Sequence, residues 1–170
     1  VTEPGNAFSN YRLATTDATN YEDLNADGFM NGEDAGLEDW TISAFVDTNE
    51  DGILQLGEIT TPPAATDDTN ADGEYSLTGL MPATQYIVVE ELQADWYESP
   101  DDDTVVVNNT GTGGAPIGGF GKYGYVIVLD SGETEPGNDF ANYQLATKEG
   151  TKYEDLNADG FMNGEDAGLE

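Results

Sequence analysis

The amino-acid sequence predicts an all-β sandwich of about seven strands, built mostly from antiparallel pairs. Three observations support this prediction. Runs of six to eight residues are rich in β-branched and aromatic side chains, clusters of Gly, Pro, Asn and Asp separate these runs, and no window shows an apolar stripe with the helical period. With 37% hydrophobic residues, the 170-residue chain has enough apolar material for one core.

The predicted strands follow one another at short intervals. Trp40, Ile42, Ala44 and Val46 alternate with the residues between them, as expected for a strand with one buried face. The glycine-rich segment 111–119 lacks the GK[ST] ending of a phosphate-binding loop and is predicted to be a flexible connection. In chain order, the predicted strands cover residues 40–47, 74–80, 85–92, 104–109, 123–130 and 140–146.

A long internal repeat defines the domain organisation. The eighteen residues 21–38 return unchanged at 153–170, and 30 of the 37 residues in 2–38 are identical at an offset of 132. Self-similarity at a fixed period indicates a tandem array. We therefore expect residues 1–17 to be the tail, with the last strand, of a preceding repeat, residues 18–149 to be one complete repeat, and residues 150–170 to be the opening strand and first loop of the next.

Charge and composition restrict the function. The chain has 35 Asp+Glu against 4 Lys+Arg, a formal net charge of −31, so phosphate backbones and anionic membranes are repelled and cations are attracted. It contains neither Cys nor His, which excludes disulfides, thiolate or imidazole ligands and a Ser-His-Asp triad. No apolar run approaches the length of a membrane span. Catalysis is not predicted, because nearly every close pair of carboxylates lies within a loop whose residue spacing is typical of a cation-binding site.

The repeated phrase has the ligand spacing of an EF-hand-type calcium loop. Side-chain oxygens at alternate positions face a hard cation, glycine at position 6 allows the sharp turn, and position 7 supplies a backbone carbonyl. Residues 23–34, called loop 1, fit this pattern, but either of two acidic neighbours, Glu33 or Asp34, could close the loop. The candidate ligands are Asp23, Asn25, Asp27, Phe29 (carbonyl), Asn31, Glu33 and Asp34, and the next copy repeats them at Asp155, Asn157, Asp159 and Asp166.

A second loop, residues 47–58 (loop 2), fills every position of the pattern. Its candidate ligands are Asp47, Asn49, Asp51, Ile53 (carbonyl), Gln55 and Glu58. A third segment, residues 68–74 (loop 3), is partial, because position 12 would be Gly79. Its candidate ligands are Asp68, Asn70, Asp72 and Glu74, and the closing ligand is left open among Asp67, Glu90, Glu91 and residues 101–103.

The order of these motifs resembles a known family. The runs YEDLNADGFMNGEDAGLEDWTISAFVDTNEDGILQLGE, TDDTNADGEYSLTGL, YIVVEE and DFANYQ resemble the calcium-binding B repeat of serine-aspartate repeat surface adhesins, a collagen-adhesin B-type domain. The resemblance covers residues 18–147. It implies an Ig-like or transthyretin-like antiparallel sandwich in a tandem array, with two or three Ca²⁺ per repeat. Some relatives are locked by a Lys–Asn isopeptide bond, which we do not expect in the complete repeat because Lys152 corresponds to Asn20.

The resemblance and the repeat together imply a structural function. We expect a calcium-stiffened repeat of a long extracellular or cell-surface protein, an adhesin stalk or fibre, whose partners are neighbouring repeats or identical subunits arranged head to tail. Two alternatives are a subunit of a self-assembling filament and a carbohydrate- or ligand-binding adhesive module, which would require exposed aromatic side chains. The segment 145–156 is short for a flexible linker, so the calcium site at Asp155, Asn157 and Asp159 is expected near the junction between repeats.

Overall fold

The computed structural model describes residues 9–164 and 166–168, and it confirms the predicted all-β sandwich. The one helix among these residues has four residues, so no described helix is long and apolar enough to cross a membrane. The elements are β1 (Ala14–Glu22), β2 (Ala35–Gly36), β3 (Thr41–Val46), α1 (Leu56–Ile59), β4 (Ala65–Asp68), β5 (Glu74–Leu80), β6 (Gln85–Glu90), β7 (Tyr97–Glu98), β8 (Val105–Val106), β9 (Tyr123–Val128), β10 (Thr134–Pro136), β11 (Phe140–Tyr143), β12 (Tyr153–Glu154) and β13 (Ala167–Gly168).

The first sheet is organised around β1. On one side β1 pairs antiparallel with β5 and β2, and on the other it pairs in parallel with β10 and then β11, which carries β7 at its outer edge. Residue 15 is opposite residue 134, whereas residue 20 is opposite residue 140, so one extra residue is accommodated between β10 and β11. Gly137 in this connection has φ +90°, a conformation that glycine adopts without steric cost.

The second sheet has the order β4-β3-β6-β9-β8, and every pair in it is antiparallel. Its inner face packs on β1, β5 and β11 through the main core, in which Ile42, Leu77 and Val88 are fully buried. A smaller cluster around Phe45 and Leu54 covers the outer face, where loop 2 folds back over the sheet.

The sequence prediction located β3, β5, β6, β9 and β11, but its strand list omitted β1, which is the longest strand, and most of the short strands. Residues 74–80 form β5 as predicted, but the run 104–109 contains only the two-residue β8, and β2, β4, β7, β10 and the turn of helix α1 were not foreseen. Strand β1 begins at Ala14, before the expected start of the repeat at residue 18, because Thr15 and Thr16 pair with both β5 and β10. Residues 14–17 therefore belong to the sandwich, whereas residues 1–8 of the expected tail lie outside the described residues.

The parallel pairing of β1 with β11 gives the domain two distinct ends. At the entry end, Ala14 at the start of β1 is opposite Leu80 at the end of β5. At the exit end, Glu22 at the end of β1 is opposite Asn142, near the end of the last strand of the domain. The nine residues of β1 separate the two ends by roughly 26 Å. The chain thus enters at one end and leaves at the other.

Candidate cation-binding loops

Loops 1 and 2 share the backbone conformation that makes their tight turns. Position 4 is left-handed in both, with φ 56° at Ala26 and 57° at Glu50, and position 6 is a glycine with φ 81° at Gly28 and 75° at Gly52. Because glycine reaches this region without a steric penalty, the glycine at position 6 allows the same tight turn in both loops.

The first carboxylate of loop 1 is fully buried and charged. Asp23 Oδ2 accepts hydrogen bonds from the Gly28 N–H at 2.7 Å and from the Ser99 hydroxyl at 2.6 Å, while Oδ1 accepts one from the Asp27 N–H at 3.2 Å. Burial opposes ionisation of this side chain, but the hydrogen bonds from Ser99 and the loop backbone outweigh it, so the pKa of Asp23 is lowered. Asp23 is therefore a carboxylate at neutral pH.

The first carboxylate of loop 2 has an unsatisfied oxygen. Asp47 Oδ2 accepts hydrogen bonds from the Gly52 N–H at 2.7 Å and from Gln85 Nε2 at 2.8 Å. Asp47 Oδ1 is buried and has no hydrogen-bond partner. Leaving a buried acceptor unpaired costs about 1–3 kcal/mol, and such an atom calls for an explanation, of which a bound ion is one.

The two loops are closed in the same way. Glu58 accepts hydrogen bonds from the backbone N–H groups of positions 2 and 9 of loop 2, at 2.8 and 2.9 Å. Asp34 accepts them from the same two positions of loop 1, at 3.1 and 2.9 Å. Glu33 is exposed. Of the two carboxylates that the sequence left open, the geometry therefore makes Asp34 the counterpart of Glu58.

In loop 2, side-chain amides surround the carboxylate at position 5. Asp51 accepts hydrogen bonds from Asn49 Nδ2 and Gln55 Nε2, both at 2.9 Å, and from the Ile53 N–H at 2.8 Å. The Ile53 hydrogen bond is the main cause of a lowered pKa at Asp51. The side chains predicted at positions 3, 5 and 9 of loop 2 thus lie together.

Loop 1 repeats this arrangement around Asp27. This carboxylate accepts from Asn25 Nδ2 at 2.9 Å, from Asn31 Nδ2 at 3.1 Å and from the Phe29 N–H at 3.0 Å. Asn31 Nδ2 also donates to the Phe29 carbonyl at 2.8 Å, which brings the position-7 carbonyl to the same side chain. Both loops thus bring two side-chain amides and the N–H of position 7 to the one carboxylate at position 5.

The copy of loop 1 in the next repeat adopts the same conformation. Asp155 Oδ2 accepts from the Gly160 N–H at 2.7 Å, Asn157 Nδ2 donates to Asp159 at 2.9 Å, and Asp166 accepts from positions 2 and 9 at 3.0 and 2.9 Å. Strands β12 and β13 pair at the positions equivalent to those of β1 and β2. The local sequence therefore determines the geometry of this loop.

Loop 3 has a different structure despite its similar sequence. The Gly73 N–H donates to the Asn70 carbonyl at 2.8 Å instead of to the first carboxylate, and Asn70 Oδ1 accepts from the N–H groups of Asp72 and Glu74 at 2.9 and 3.0 Å. Asp68 accepts from the Thr41 hydroxyl at 2.6 Å. Loop 3 is therefore a hydrogen-bonded turn between the two sheets, which explains its DTNADG sequence without a cation.

The four candidates for a closing ligand of loop 3 are dispersed. Asp67 lies with Asp17 in a cleft that borders this loop. Glu90 is buried elsewhere, Glu91 is exposed, and the backbone of Asp101 lies against Gly28 of loop 1. Across residues 9–164 and 166–168, no three His, Cys, Asp or Glu side chains form a group that could hold a metal ion. A site in loop 1 or 2 therefore depends on amide and carbonyl oxygens as well as carboxylates.

The sequence analysis missed a buried polar cluster at the exit side of the core. Glu90 Oε2 accepts hydrogen bonds from Asn20 Nδ2 and Asn142 Nδ2, both at 2.8 Å, and Asn142 Nδ2 also donates to Asn20 Oδ1 at 3.0 Å. All three side chains are buried. Burial raises the pKa of Glu90 to about 8, although the two amides favour its ionised form. The replacement of Asn20 by Lys152 between the copies was the signal that could have located this cluster.

The aromatic side chains divide between the core and the two ends. Trp40 is 2% exposed and packs edge-to-face on the half-buried Trp96 at 5.7 Å. Tyr75, Tyr86 and Phe140 are buried in the core. Among the described residues, the exposed large aromatics are Tyr11, Phe29, Tyr97 and Phe161, so no exposed tryptophan platform forms on a sheet face.

No protein-family model and no curated protein matches the chain. Its fold is similar to crystal structures of the shaft pilin SpaA from Lactobacillus rhamnosus GG. One mutant of that pilin gives a TM-score of 0.48 at 12% identity over 79% of this chain, the pilin itself gives 0.45 at 13% over 79%, and a second mutant gives 0.45 at 14% over 83%. Each match covers 52% of the pilin, so this chain spans about half the length of the pilin chains that it matches.

Proposed function

We propose that this chain is a calcium-stiffened structural repeat of a long extracellular or cell-surface protein, and that it spaces and rigidifies rather than catalyses. The observation that carries the proposal is the buried, unpartnered Oδ1 of Asp47 in a loop with every position of a calcium-ligand pattern. Its support is the 132-residue repeat and the resemblance to calcium-binding B repeats of surface adhesins.

Loop 2 has the oxygen donors that Ca²⁺ prefers. Asp47, Asp51 and Glu58 can supply carboxylates once their side chains turn towards one ion, because the three do not form a metal-binding group as they stand. The Ile53 carbonyl can supply a further oxygen. The amides at positions 3 and 9 donate their NH₂ groups to Asp51. Rotating each amide by half a turn exchanges its nitrogen for its oxygen, because the two atoms occupy nearly the same positions. Loop 2 can therefore present amide oxygens to a cation without moving its backbone.

We assign a second Ca²⁺ to loop 1 and none to loop 3. Asp23, Asp27 and Asp34 occupy the same backbone positions as the three carboxylates of loop 2 and accept the same backbone hydrogen bonds. Loop 3 lacks both the closing carboxylate and the hydrogen bond from position 6 to position 1. Of the two or three ions expected for each repeat, we therefore propose two.

The proposed mechanism is electrostatic. Loop 2 carries four acidic residues, Asp47, Glu50, Asp51 and Glu58, in twelve positions, and at physiological salt like charges repel one another over a Debye length of about 8 Å. Bound Ca²⁺ supplies the positive charge that balances their repulsion and holds the loop on the outer face of the sheet. Because the loop packs Leu54 into the core cluster beneath it, binding is coupled to folding. Affinities of 10⁻⁴ to 10⁻³ M suit extracellular modules, which work at high calcium concentrations.

A spacer explains the molecule better than an adhesive site does. Spacers gain reach by repetition, and the copies are nearly identical in sequence. A carbohydrate-binding module would present a row of aromatic rings on a sheet face, whereas Trp40 is buried and, among the described residues of the complete repeat, Tyr97 is the one exposed aromatic side chain on a strand. Covalent repetition within one chain likewise favours a stalk over a filament of separate subunits.

The test is a calcium titration of the 170-residue chain with loop-specific variants. At a hundredfold excess over Kd, one site stabilises the fold by about 2.7 kcal/mol, which raises Tm by several degrees in a domain of this size. We expect Asp51→Ala to abolish the loop 2 component of the titration and of the Tm increase. Asp72→Ala in loop 3 is the matched control and should leave both unchanged. A titration without heat at millimolar Ca²⁺, together with equal melting curves in Ca²⁺ and chelator, would refute the proposal.

A further inference from the structure

Because the repeat is tandem, the two ends of a single domain show both sides of the joint between neighbouring repeats. Tyr11 and Tyr143 are equivalent residues at the offset of 132. Tyr143 ends the last strand of the complete repeat and shows how the chain leaves a domain. Tyr11 precedes the first strand of the same repeat and shows how the chain approaches the next one. In a tandem array, the tyrosine at this position ends the last strand of one repeat and also precedes the first strand of the next.

On the exit side, the tyrosine stacks on its own domain. Tyr143 is directly opposite Tyr97 in the pairing of β11 with β7, and the two rings stack with centroids 5.6 Å apart. Tyr97 remains 45% exposed, and it borders a cleft lined by Asp95, Gln144 and Leu145. The exit end therefore carries a rigid aromatic pair with free apolar surface beside the departing chain.

On the entry side, the equivalent tyrosine touches the domain that follows it. The Tyr11 hydroxyl donates to Met81 Sδ at 3.4 Å. The backbone of Arg12 is held on both sides, because its N–H donates to Ser131 Oγ at 2.9 Å and its carbonyl accepts from the Gly132 N–H at 3.2 Å. Chain that precedes β1 is thus already bound to the turns of the entry end.

These contacts leave almost no free linker. Strand β11 ends at Tyr143, and the residue equivalent to the first residue of β1 is Ala146, so only Gln144 and Leu145 lie between the two strands. The equivalent of Gln144 is Arg12, whose backbone is bonded at the entry end. Two residues are fewer than most connections between elements within a compact domain, which restricts the orientation of one repeat relative to the next.

Both ends of the domain expose apolar side chains that a neighbouring copy could cover. Leu24, Phe29 and Met30 of loop 1 are more than half exposed at the exit end, where the Asp23 N–H donates to the Asn142 carbonyl at 2.7 Å. At the entry end, Leu13, Met81 and Val128 are between 43% and 58% exposed. The chain carries a net charge of −31, which opposes contact between copies, so contact depends on apolar surface such as that exposed at the two ends.

We infer that Tyr143 is the joint residue between successive copies of this repeat, with its ring on Tyr97 of its own copy and its hydroxyl on Met81 of the next. A ring face and a hydroxyl are separate parts of one side chain, so both contacts form together. The inference rests on the proposed tandem array. It also replaces the expectation that the loop at Asp155 lies at this joint, because loop 1 follows β1 and stands at the exit end, about one strand length from the entry.

The test uses a chain in which residues 1–145 are followed by a second copy of residues 14–170, so that the present chain is kept whole and one complete repeat is added. The chain lacks cysteine, so Thr78→Cys in each copy gives two spin labels, on the edge strand β5, whose distance distribution reports the joint. We expect a narrow distribution in the parent and a broad one in Tyr143→Ala. Tyr11→Ala is the matched control, because it removes the same residue at an end where no domain precedes it, and it should leave the distribution narrow.

Methyl resonances of Met81 give a second, direct readout. In the parent, the Met81 methyl of each copy should show a ring-current shift, which Tyr11→Ala removes in the first copy and Tyr143→Ala removes in the second. Equal distributions in the two variants, or a second-copy Met81 that is insensitive to Tyr143→Ala, would overturn the inference. Both measurements are repeated in Ca²⁺ and in chelator to separate the two proposals. If the titration detects no calcium binding but the distance distribution stays narrow, the calcium mechanism is refuted and the inference about Tyr143 stands.

Discussion

Glu90 Oε2 and Asn142 Nδ2 lie 2.8 Å apart, and both side chains are buried in the interior of the protein. The pair joins the two sheets, because Glu90 ends β6 and Asn142 lies on β11. Burial raises the pKa of Glu90 from 4.5 to about 8, so the folded protein holds this proton more tightly than the unfolded chain does.

The raised pKa predicts a pH dependence of stability with a definite sign. The contribution of protonated Glu90 is fully present below about pH 4.5 and is lost as the pH rises towards 8, a loss on the order of 3 kcal/mol by neutral pH. Glu90→Gln removes the ionisation, so we expect this variant to be more stable than the parent at pH 8 and to differ less from it at pH 5. Thermal melts from pH 5 to 9 measure the difference.

The exposed neighbour Glu91 provides the control, because Glu91→Gln makes the same chemical change at the surface and both variants keep the remaining acidic residues of the chain. Comparing each variant with the parent cancels their shared contribution. Glu91→Gln should follow the pH profile of the parent. If Glu90→Gln follows it as well, the buried carboxyl does not bind its proton as described.

The closure of loop 1 predicts different effects for two adjacent acidic residues. Asp34 accepts the N–H groups of Leu24 and Asn31, whereas Glu33 is exposed. We expect Asp34→Ala to speed hydrogen exchange at both amides at least tenfold, even in chelator, since about 1.4 kcal/mol corresponds to a factor of ten, and to weaken calcium binding by loop 1. Glu33→Ala should change neither quantity. Faster exchange in Glu33→Ala instead would show that the neighbouring carboxylate closes the loop.

Close backbone packing under loop 3 predicts a large difference between two glycines. A Cβ on Gly73 would lie 2.2 Å from the Asn20 carbonyl oxygen, whereas a Cβ on Gly79 would have nothing within 4 Å, and both residues have φ near +80°. We expect Gly79→Ala to lower the unfolding free energy by about 1–2 kcal/mol, from backbone strain alone, and Gly73→Ala to lower it by about 1–3 kcal/mol more. Urea unfolding at fixed calcium measures both, and equal losses would contradict the close approach.

The sequence predicted those features that depend on local patterns. Residues 74–80 form β5 because alternation and turn residues on both sides specify one strand, and the glycine at position 6 allows the tight turns of loops 1 and 2. The two copies of loop 1 have the same conformation, which confirms that this information is local.

Features that depend on distant contacts could not be predicted in this way. Loop 3 has the same DxNxDG spacing as loop 2, but Gly73 is pressed against the backbone of Gly36 and Asn20, and its N–H donates to the Asn70 carbonyl instead of to the first carboxylate. The role of Glu90 depended on two asparagines 70 and 52 residues away in the sequence. No periodicity or motif connects such residues before the sheets are assembled.

The last prediction concerns the one position of this cluster that differs between the copies, where Asn20 is replaced by Lys152. Asn20 Oδ1 lies 3.0 Å from Asn142 Nδ2, so a lysine at position 20 would place its amine beside the Asn142 carboxamide. Burial lowers the pKa of a lysine amine and favours the neutral, nucleophilic form. Glu90, whose raised pKa keeps it mostly protonated at neutral pH and which already contacts Asn142 Nδ2, can give its proton to the leaving nitrogen and take one back from the attacking amine.

We therefore expect Asn20→Lys to form an amide between the new Nζ and Asn142 Cγ, with release of one ammonia. The intact mass would be one ammonia below the value calculated from the sequence, and Tm would rise, because the new bond ties the first strand to the last. Asn20→Met, similar in length but without an amine, and the double variant Asn20→Lys with Asn142→Ala should both keep their full masses. An Asn20→Lys protein that folds and also keeps its full mass would show that the amine does not reach Asn142, and that the buried cluster holds the two strands through hydrogen bonds alone.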